Sequence, residues 1–185
     1  MEERLIQLHQ ARLAQLAIGA STARGQGAAG VVSASRSWLA TCDLRRFLAE
    51  GVESFPRALD RATEAMRVAL PAGAQNWGAA RKFLNIFLRD SLYNRYTCRH
   101  FELEVLEPQL EIPLDAHAAR GLSSEPEGSY LPRWQTIKHL KSEVSAQYQE
   151  VASKVAVRCG HARVHLDLVY WRRMGERKYI DAKID

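Results

Sequence analysis

The spacing of apolar side chains along the chain predicts a protein built mostly of α-helices. Residues 2–18 are rich in alanine and leucine, both strong helix formers. Apolar residues recur every three or four positions over residues 54–70, and Pro71 ends that pattern. A second long stripe covers residues 134–155, and Gly160 is well placed to end its helix. These periods indicate amphipathic helices that pack on a shared core.

The most apolar helix is predicted at residues 79–96, directly after a loop at residues 71–78. Large apolar side chains cover most of its circumference, so this helix is expected at the centre of the core. Its polar residues share one face by i, i+3 and i+4 spacing, and this face is predicted to remain outside the core as a basic ridge. The ridge comprises Gly78, Arg81, Lys82, Asn85 and Arg89.

Other segments give weaker patterns. Glycine, alanine, serine and threonine make up thirteen of the eighteen residues at 19–36, which predicts a long flexible loop. A short helix is expected at 42–50. Alternating apolar and polar residues at 101–105 indicate a short strand, and at 164–168 they fit either a strand or a last helix. The charged tail after Trp171 is predicted to fray.

Composition supports a single mostly α-helical domain over residues 1–185. Hydrophobic residues make up 46% of the chain and charged residues 25%, and a chain of this length can bury a core without disulfides, a metal or a cofactor. No apolar run reaches the roughly 18–20 residues of a membrane span, and the N-terminus is unlike a signal peptide. We therefore expect a cytoplasmic protein with no membrane partner. The cysteines, Cys42, Cys98 and Cys159, are expected to be free thiols.

The charge balance favours an anionic partner. Lysine and arginine number 26 against 21 aspartate and glutamate residues, a net charge of +5. The excess is concentrated in residues 81–99, where five basic residues face the single acid Asp90. These basic residues are Arg81, Lys82, Arg89, Arg95 and Arg99. Any surface for DNA, or for RNA as the alternative, is expected to involve this segment.

The order of features over residues 70–122 resembles the helix-hairpin-helix DNA glycosylase superfamily. A loop rich in proline and glycine precedes a helix that begins at Gly78 and carries Lys82, and the later run Leu114-Asp115-Ala116-His117 opens another helix. By this resemblance Lys82 matches the nucleophilic lysine of the bifunctional members, and Asp115 matches the catalytic carboxylate. The segment between these two residues is longer than in the family, which implies an insertion.

The resemblance implies a DNA repair enzyme that excises a modified or damaged base, as a glycosylase with lyase activity. Lys82 would attack the anomeric carbon of the nucleotide, and Asp115 would stabilise the positive charge that develops on the sugar. Folding must then bring these two side chains to one cleft. The flipped base needs aromatic and basic contacts. The candidates for these contacts are Arg81, Arg89, Arg95, Trp77 and Trp134, with Tyr130 and Trp171 as further stacking residues.

Two hypotheses in which the protein is not an enzyme remain open. Lys82 can be a solvated residue of a core helix and Asp115 a plain helix N-cap, in which case the basic helix face serves a nucleic-acid-binding module. Alternatively, the protein is an adaptor whose Gly/Ala-rich loop at residues 19–36 orders on a protein partner. The sequence lacks a P-loop, a dinucleotide fingerprint and a Gly-x-Ser-x-Gly elbow, which removes the usual support for phosphoryl transfer, nicotinamide redox chemistry and α/β-hydrolase catalysis.

A zinc site is a weaker possibility, because several residues of the right chemical type lack a recognised ligand spacing. They are Cys98, His100, Cys159, His161 and His165.

Overall fold

A computed structural model of the protein describes residues 3–171 and is mostly helical, as the sequence predicts. No strand occurs within these residues. The α-helices are α1 (Glu3–Ala17), α2 (Val31–Thr41), α3 (Phe55–Ala69), α4 (Trp77–Tyr93), α5 (Arg95–His100), α6 (Ala116–Ser123) and α7 (Ser142–Cys159). Residues 166–171 are also helical, and the charged tail predicted to fray lies outside the described residues. None of the described helices is both long and apolar enough to cross a bilayer.

The chain divides after Leu110 into two compact units. The first contains α1 to α5, and the second contains α6, α7 and the helical residues 166–171. Each unit buries apolar side chains of its own. The prediction of one domain over residues 1–185 stays a prediction.

Helix α4 is the centre of the first unit, because it contacts α1, α2, α3 and α5. Phe83 and Phe87 on this helix are fully buried, and burial of each such side chain stabilises the fold by about 1.5–3 kcal/mol. Asn76 starts the helix by accepting a hydrogen bond from the Ala79 N–H (3.3 Å). At the other end the chain turns at Asn94, whose side chain caps α5, so the predicted helix at 79–96 is in fact two helices.

Helix α7 anchors the second unit through Gln149. The buried Gln149 side chain accepts a hydrogen bond from the Ile112 N–H (3.1 Å) and donates one to the Ile112 carbonyl (2.8 Å). Both backbone groups of this otherwise irregular residue are therefore satisfied by one side chain. Leu114, two residues further on, is buried as well. This arrangement fixes the chain immediately before α6 begins.

The predicted flexible loop is shorter than expected, because α2 begins at Val31. Val31, Ser35 and Leu39 are buried at four-residue spacing, and α2 packs on α1. Serine at the middle position hides the apolar period, so the sequence pattern fails there. Gly30 precedes the helix with φ of 83°, a left-handed conformation that suits glycine.

Three other local predictions need correction. The strand predicted at 101–105 is wrong, since Leu103–Leu106 forms a 3₁₀ turn. The helix predicted at 42–50 is only a 3₁₀ turn at Leu44–Phe47. Helix α7 begins at Ser142, well after Trp134, because the preceding residues form an irregular segment. At 164–168 the helical alternative is correct.

Candidate functional site

Lys82 lies in the second turn of α4, at the edge of the core. Its neighbours Arg81 and Phe83 are buried, whereas Lys82 is half-buried. These two buried neighbours fix the helix on either side of Lys82, so the backbone position of this residue is well defined. Lys82 is therefore more enclosed than it would be as a fully solvated surface residue, which is the alternative given above.

The polar stripe of α4 is not the exposed ridge that helical spacing predicts. Gly78, Arg81 and Asn85 are buried, so the prediction of an outward face is wrong at these positions. Arg81 is only 7% exposed and donates to Asp60 Oδ1 (2.8 Å) and Thr63 Oγ1 (2.9 Å) of α3. Helix α3 packs against this side of α4 and supplies these partners, which is why a guanidinium can lie inside the unit.

Trp77 belongs to the same structural group as Arg81. It is half-buried at the start of α4, and the Arg81 guanidinium lies 5.2 Å from its ring centroid, a cation–π contact. Arg81 therefore joins α3 to α4, and Trp77 contacts the guanidinium that makes this connection. Their predicted role in nucleic-acid binding stays a prediction.

We expect Arg81→Ala to lower the free energy of unfolding by about 2–3 kcal/mol. The substitution removes the buried side-chain stem, the bonds to α3 and the contact with Trp77. Arg95→Ala is the matched control, because Arg95 is exposed on α5, and it should change stability by no more than about 0.5 kcal/mol. Urea denaturation followed by circular dichroism measures both. Equal effects of the two substitutions would contradict a structural role for Arg81.

Of the other predicted basic residues, Arg95 and Arg99 are the ones exposed to solvent. Neither forms an ion pair with a described residue. Arg89 is different, because its guanidinium donates two hydrogen bonds to Asp90 Oδ1 (2.8 and 2.9 Å) and its charge is largely balanced. Tyr96, which is next to Arg95 in the chain, is partly exposed. Its ring stacks on the ring of His9, with the two centroids 4.7 Å apart. Among the predicted basic residues at 81–99, the exposed ones are therefore on α5.

Asp115 is the N-cap of α6, which confirms the predicted cap. Its Oδ1 atom accepts hydrogen bonds from the backbone N–H groups of His117 (2.8 Å) and Ala118 (3.0 Å). The residues before it are held by Gln149, as described above. The two N–H groups thus orient the carboxylate, and Gln149 fixes the backbone three residues before it.

The sequence assigns no role to His117, which lies beside Asp115 in the first turn of α6. Its Nδ1 atom is buried and has no hydrogen-bond partner among the described residues. Its ring lies 5.5 Å from the ring of Trp171, which is itself exposed. Trp171 is one of the stacking candidates named above and His117 stands in the run that carries the resemblance, but no sequence pattern indicates that the two rings meet.

The aromatic candidates of the second unit differ in exposure. Trp134 is half-buried and packs edge-on against Tyr148, with ring centroids 5.7 Å apart. Tyr130 is exposed, with the ammonium of Lys154 5.5 Å from its ring centroid. Tyr130 and Trp171 therefore present more surface for stacking than Trp134 does.

The cysteines are free thiols, as expected, with Cys42 and Cys98 buried and Cys159 exposed. Burial raises the pKa of the Cys42 thiol to about 11, against the opposing effect of the Arg46 charge, so this thiol is protonated and unreactive at neutral pH. Among residues 3–171, no group of three or more histidine, cysteine and acidic side chains is placed to hold a metal. His161 and His165 are neighbours, with ring centroids 6.2 Å apart.

A cleft of about 760 Å³ lies in the first unit between α1, α2 and the loop that joins them. Alanine, glycine, serine and valine line most of it, and none of the predicted site residues does. Its one charged lining residue, Arg36, donates to the carbonyls of Gln15 and Ile18 at the end of α1. Its charge therefore serves to cap α1.

Lys82 belongs to the first unit and Asp115 to the second, and their predicted convergence stays a prediction. Comparisons of the chain with protein-family models, with curated proteins and with solved structures each found no match.

Proposed function

We propose that this protein acts on nucleic acid as a DNA glycosylase with lyase activity, which removes a modified or damaged base. The observation that carries the proposal is the oriented carboxylate of Asp115 at the start of α6. It occurs in the run Leu114-Asp115-Ala116-His117, the order that the glycosylase resemblance associates with the catalytic acid. The net positive charge of the chain agrees with a polyanionic substrate.

Asp115 supplies the electrostatic part of the reaction. As the base departs, positive charge develops on the sugar, and a fixed carboxylate stabilises it without reorganising. Two backbone N–H groups and the Gln149–Ile112 pair hold this residue before the substrate arrives. A cap needs only the hydrogen bonds to the helix, so the same residue can fill both roles.

Lys82 supplies the nucleophile. Its deprotonated amine attacks the anomeric carbon as the N-glycosidic bond breaks, the base leaves with the bonding electrons, and the proton that the attacking nitrogen releases is the one that the base takes up. Opening of the sugar ring then gives an imine between Lys82 and the sugar. The half-buried position of Lys82 on a well-packed helix supports this role, because it limits the conformations of the side chain.

A second candidate is a nucleic-acid-binding module without catalysis. The exposed and unpaired Arg95 and Arg99 on α5 favour it, because solvent-exposed cations are what a phosphate backbone requires. This candidate gives Asp115 no function beyond capping.

Borohydride trapping distinguishes the two candidates. We expect the wild-type protein to form a covalent adduct with a duplex that carries one damaged or modified base, tested as a panel of lesions, and Lys82→Ala to form none. Lys154→Ala is the matched control, since this lysine is exposed in the second unit and pairs with Glu150 (2.7 Å), and it should trap like the wild type.

Other results of this experiment are equally informative. Base release without an adduct would show that Lys82 is not the nucleophile. In that case water would be the nucleophile, and Asp115 would assist its attack on the sugar. If the wild-type protein releases no base and forms no adduct on any lesion, the enzyme proposal is overturned. Salt-dependent binding in that case would favour the non-catalytic module.

A further inference from the structure

A second basic surface lies in residues 128–142, named here the basic segment. It contains Arg133, Lys138 and Lys141, together with His139, and no acidic residue. All four side chains are exposed. None of the three cations forms an ion pair with a described residue. The segment therefore presents three exposed positive charges within nine residues, of which only that of Lys141 acts on a nearby carboxylate, that of Glu143.

The basic segment is held in place although it lacks a long helix. The Tyr148 hydroxyl of α7 donates to the Pro132 carbonyl (2.7 Å), and Trp134 packs edge-on against the same tyrosine ring. At the other end Leu140 is buried. Cations presented from a fixed backbone lose less conformational entropy when they bind than cations on a disordered tail.

The acidic groups near this segment in the chain are already engaged. Arg158 binds Glu125 (2.8 Å) and Glu127 (2.7 Å), which precede the segment. Glu143, which follows it, accepts a hydrogen bond from Ser142 (3.0 Å), and the positive charge of Lys141 also acts on it. Glu150 pairs with Lys154. The charges of Arg133 and Lys138 are thus available to a partner, and that of Lys141 is partly offset by Glu143.

We propose that the basic segment is a contact surface for the phosphate backbone of nucleic acid. The inference rests on the proposed function, since it assigns the same polyanionic partner to the second unit. Arg133, Lys138 and Lys141 bind phosphates, and the exposed ring of Tyr130 offers a face on which a base can stack. Apolar residues of the segment do not form the exposed face that a membrane-surface segment needs, since Ile137 is half-buried and Leu140 is buried.

The test compares two triple variants that lower the net charge equally. The first is Arg133→Gln/Lys138→Gln/Lys141→Gln. The second replaces three exposed arginines elsewhere by glutamine, at positions Arg24, Arg57 and Arg120. Binding of each protein to an undamaged duplex is measured by fluorescence anisotropy between 50 and 200 mM salt, about the range over which such contacts are resolved.

We expect the first variant to bind more weakly and to lower the slope of log affinity against log salt by about 2–3, since each lost phosphate contact contributes roughly 0.9. The control variant should lower the slope by less than about 1. Equal losses in both variants would overturn the inference, because net charge alone would explain them. Unchanged binding by the first variant would also overturn it.

Further results separate this inference from the proposed function. If the first variant binds like the wild type while the wild type still releases base, the inference fails and the enzyme proposal stands. If the first variant loses affinity and the wild type releases no base, the surface is supported and the enzyme proposal fails. Binding that depends on the segment for phosphatidylserine vesicles but not for nucleic acid would overturn the inference in favour of a membrane contact.

Discussion

Replacement of Asp115 by asparagine is expected to slow base release by about 10²–10⁴-fold while the fold stays intact. Asparagine has the same shape as aspartate and is an equally good N-cap, so its carbonyl oxygen can still accept from the His117 and Ala118 N–H groups. Only the negative charge is lost. The substitution therefore separates the electrostatic role of Asp115 from its capping role.

Single-turnover base release and urea denaturation measure the two roles independently. Asp43→Asn is the matched control, because Asp43 also caps a helical turn, by accepting from the Arg45 N–H (3.0 Å) in the first unit. It should leave base release unchanged. Asp115→Ala should lose activity and also about 1 kcal/mol of stability, since the cap is removed. A wild-type rate in Asp115→Asn would show that this residue only caps α6.

Apolar periodicity predicts the helices that bury large side chains and fails where small or polar residues do the packing. The apolar stripe at residues 54–70 correctly predicts α3, because its large side chains, such as Leu59 and Met66, are buried in the core. Helix α2 was hidden because it packs on α1 through Val31, Ser35 and Leu39, with a serine at the middle contact. The boundary of α7 was missed because the residues around Trp134 are apolar at helical spacing but pack as irregular chain.

The chemistry was harder to predict than the helices, because it depends on partners that are distant in sequence. Helical spacing placed Arg81 on the outside, whereas Asp60, which is 21 residues earlier, makes its burial possible. The Gln149 side chain bonds to Ile112, 37 residues away. One signal was available, since Gln149 is next to the buried Tyr148 within the apolar stripe of α7. The cap at Asp115 needed no distant partner, and it was predicted from the sequence.

The largest expected loss of stability comes from alanine at Gly128. This glycine is buried where the chain folds back on the end of α6, in the turn Pro126–Gly128. A Cβ atom there would overlap the Leu122 carbonyl oxygen, which already accepts a hydrogen bond from the Glu125 N–H (3.2 Å). Neither a backbone carbonyl nor the turn can move without breaking that bond. We expect Gly128→Ala to cost about 3 kcal/mol or more in unfolding free energy.

Urea denaturation of Gly128→Ala, followed both by circular dichroism and by tryptophan fluorescence, tests this expectation. Gly19→Ala is the matched control, because an added Cβ would meet only the Ser21 hydroxyl at 4.0 Å, and it should be neutral or stabilising by up to about 1 kcal/mol. Because Gly128 packs on α6, the variant should also slow base release by displacing the helix that Asp115 caps. A decrease in the free energy of unfolding of less than about 1 kcal/mol would contradict the prediction, because it would show that the turn at Pro126–Gly128 can move to accommodate the added Cβ atom.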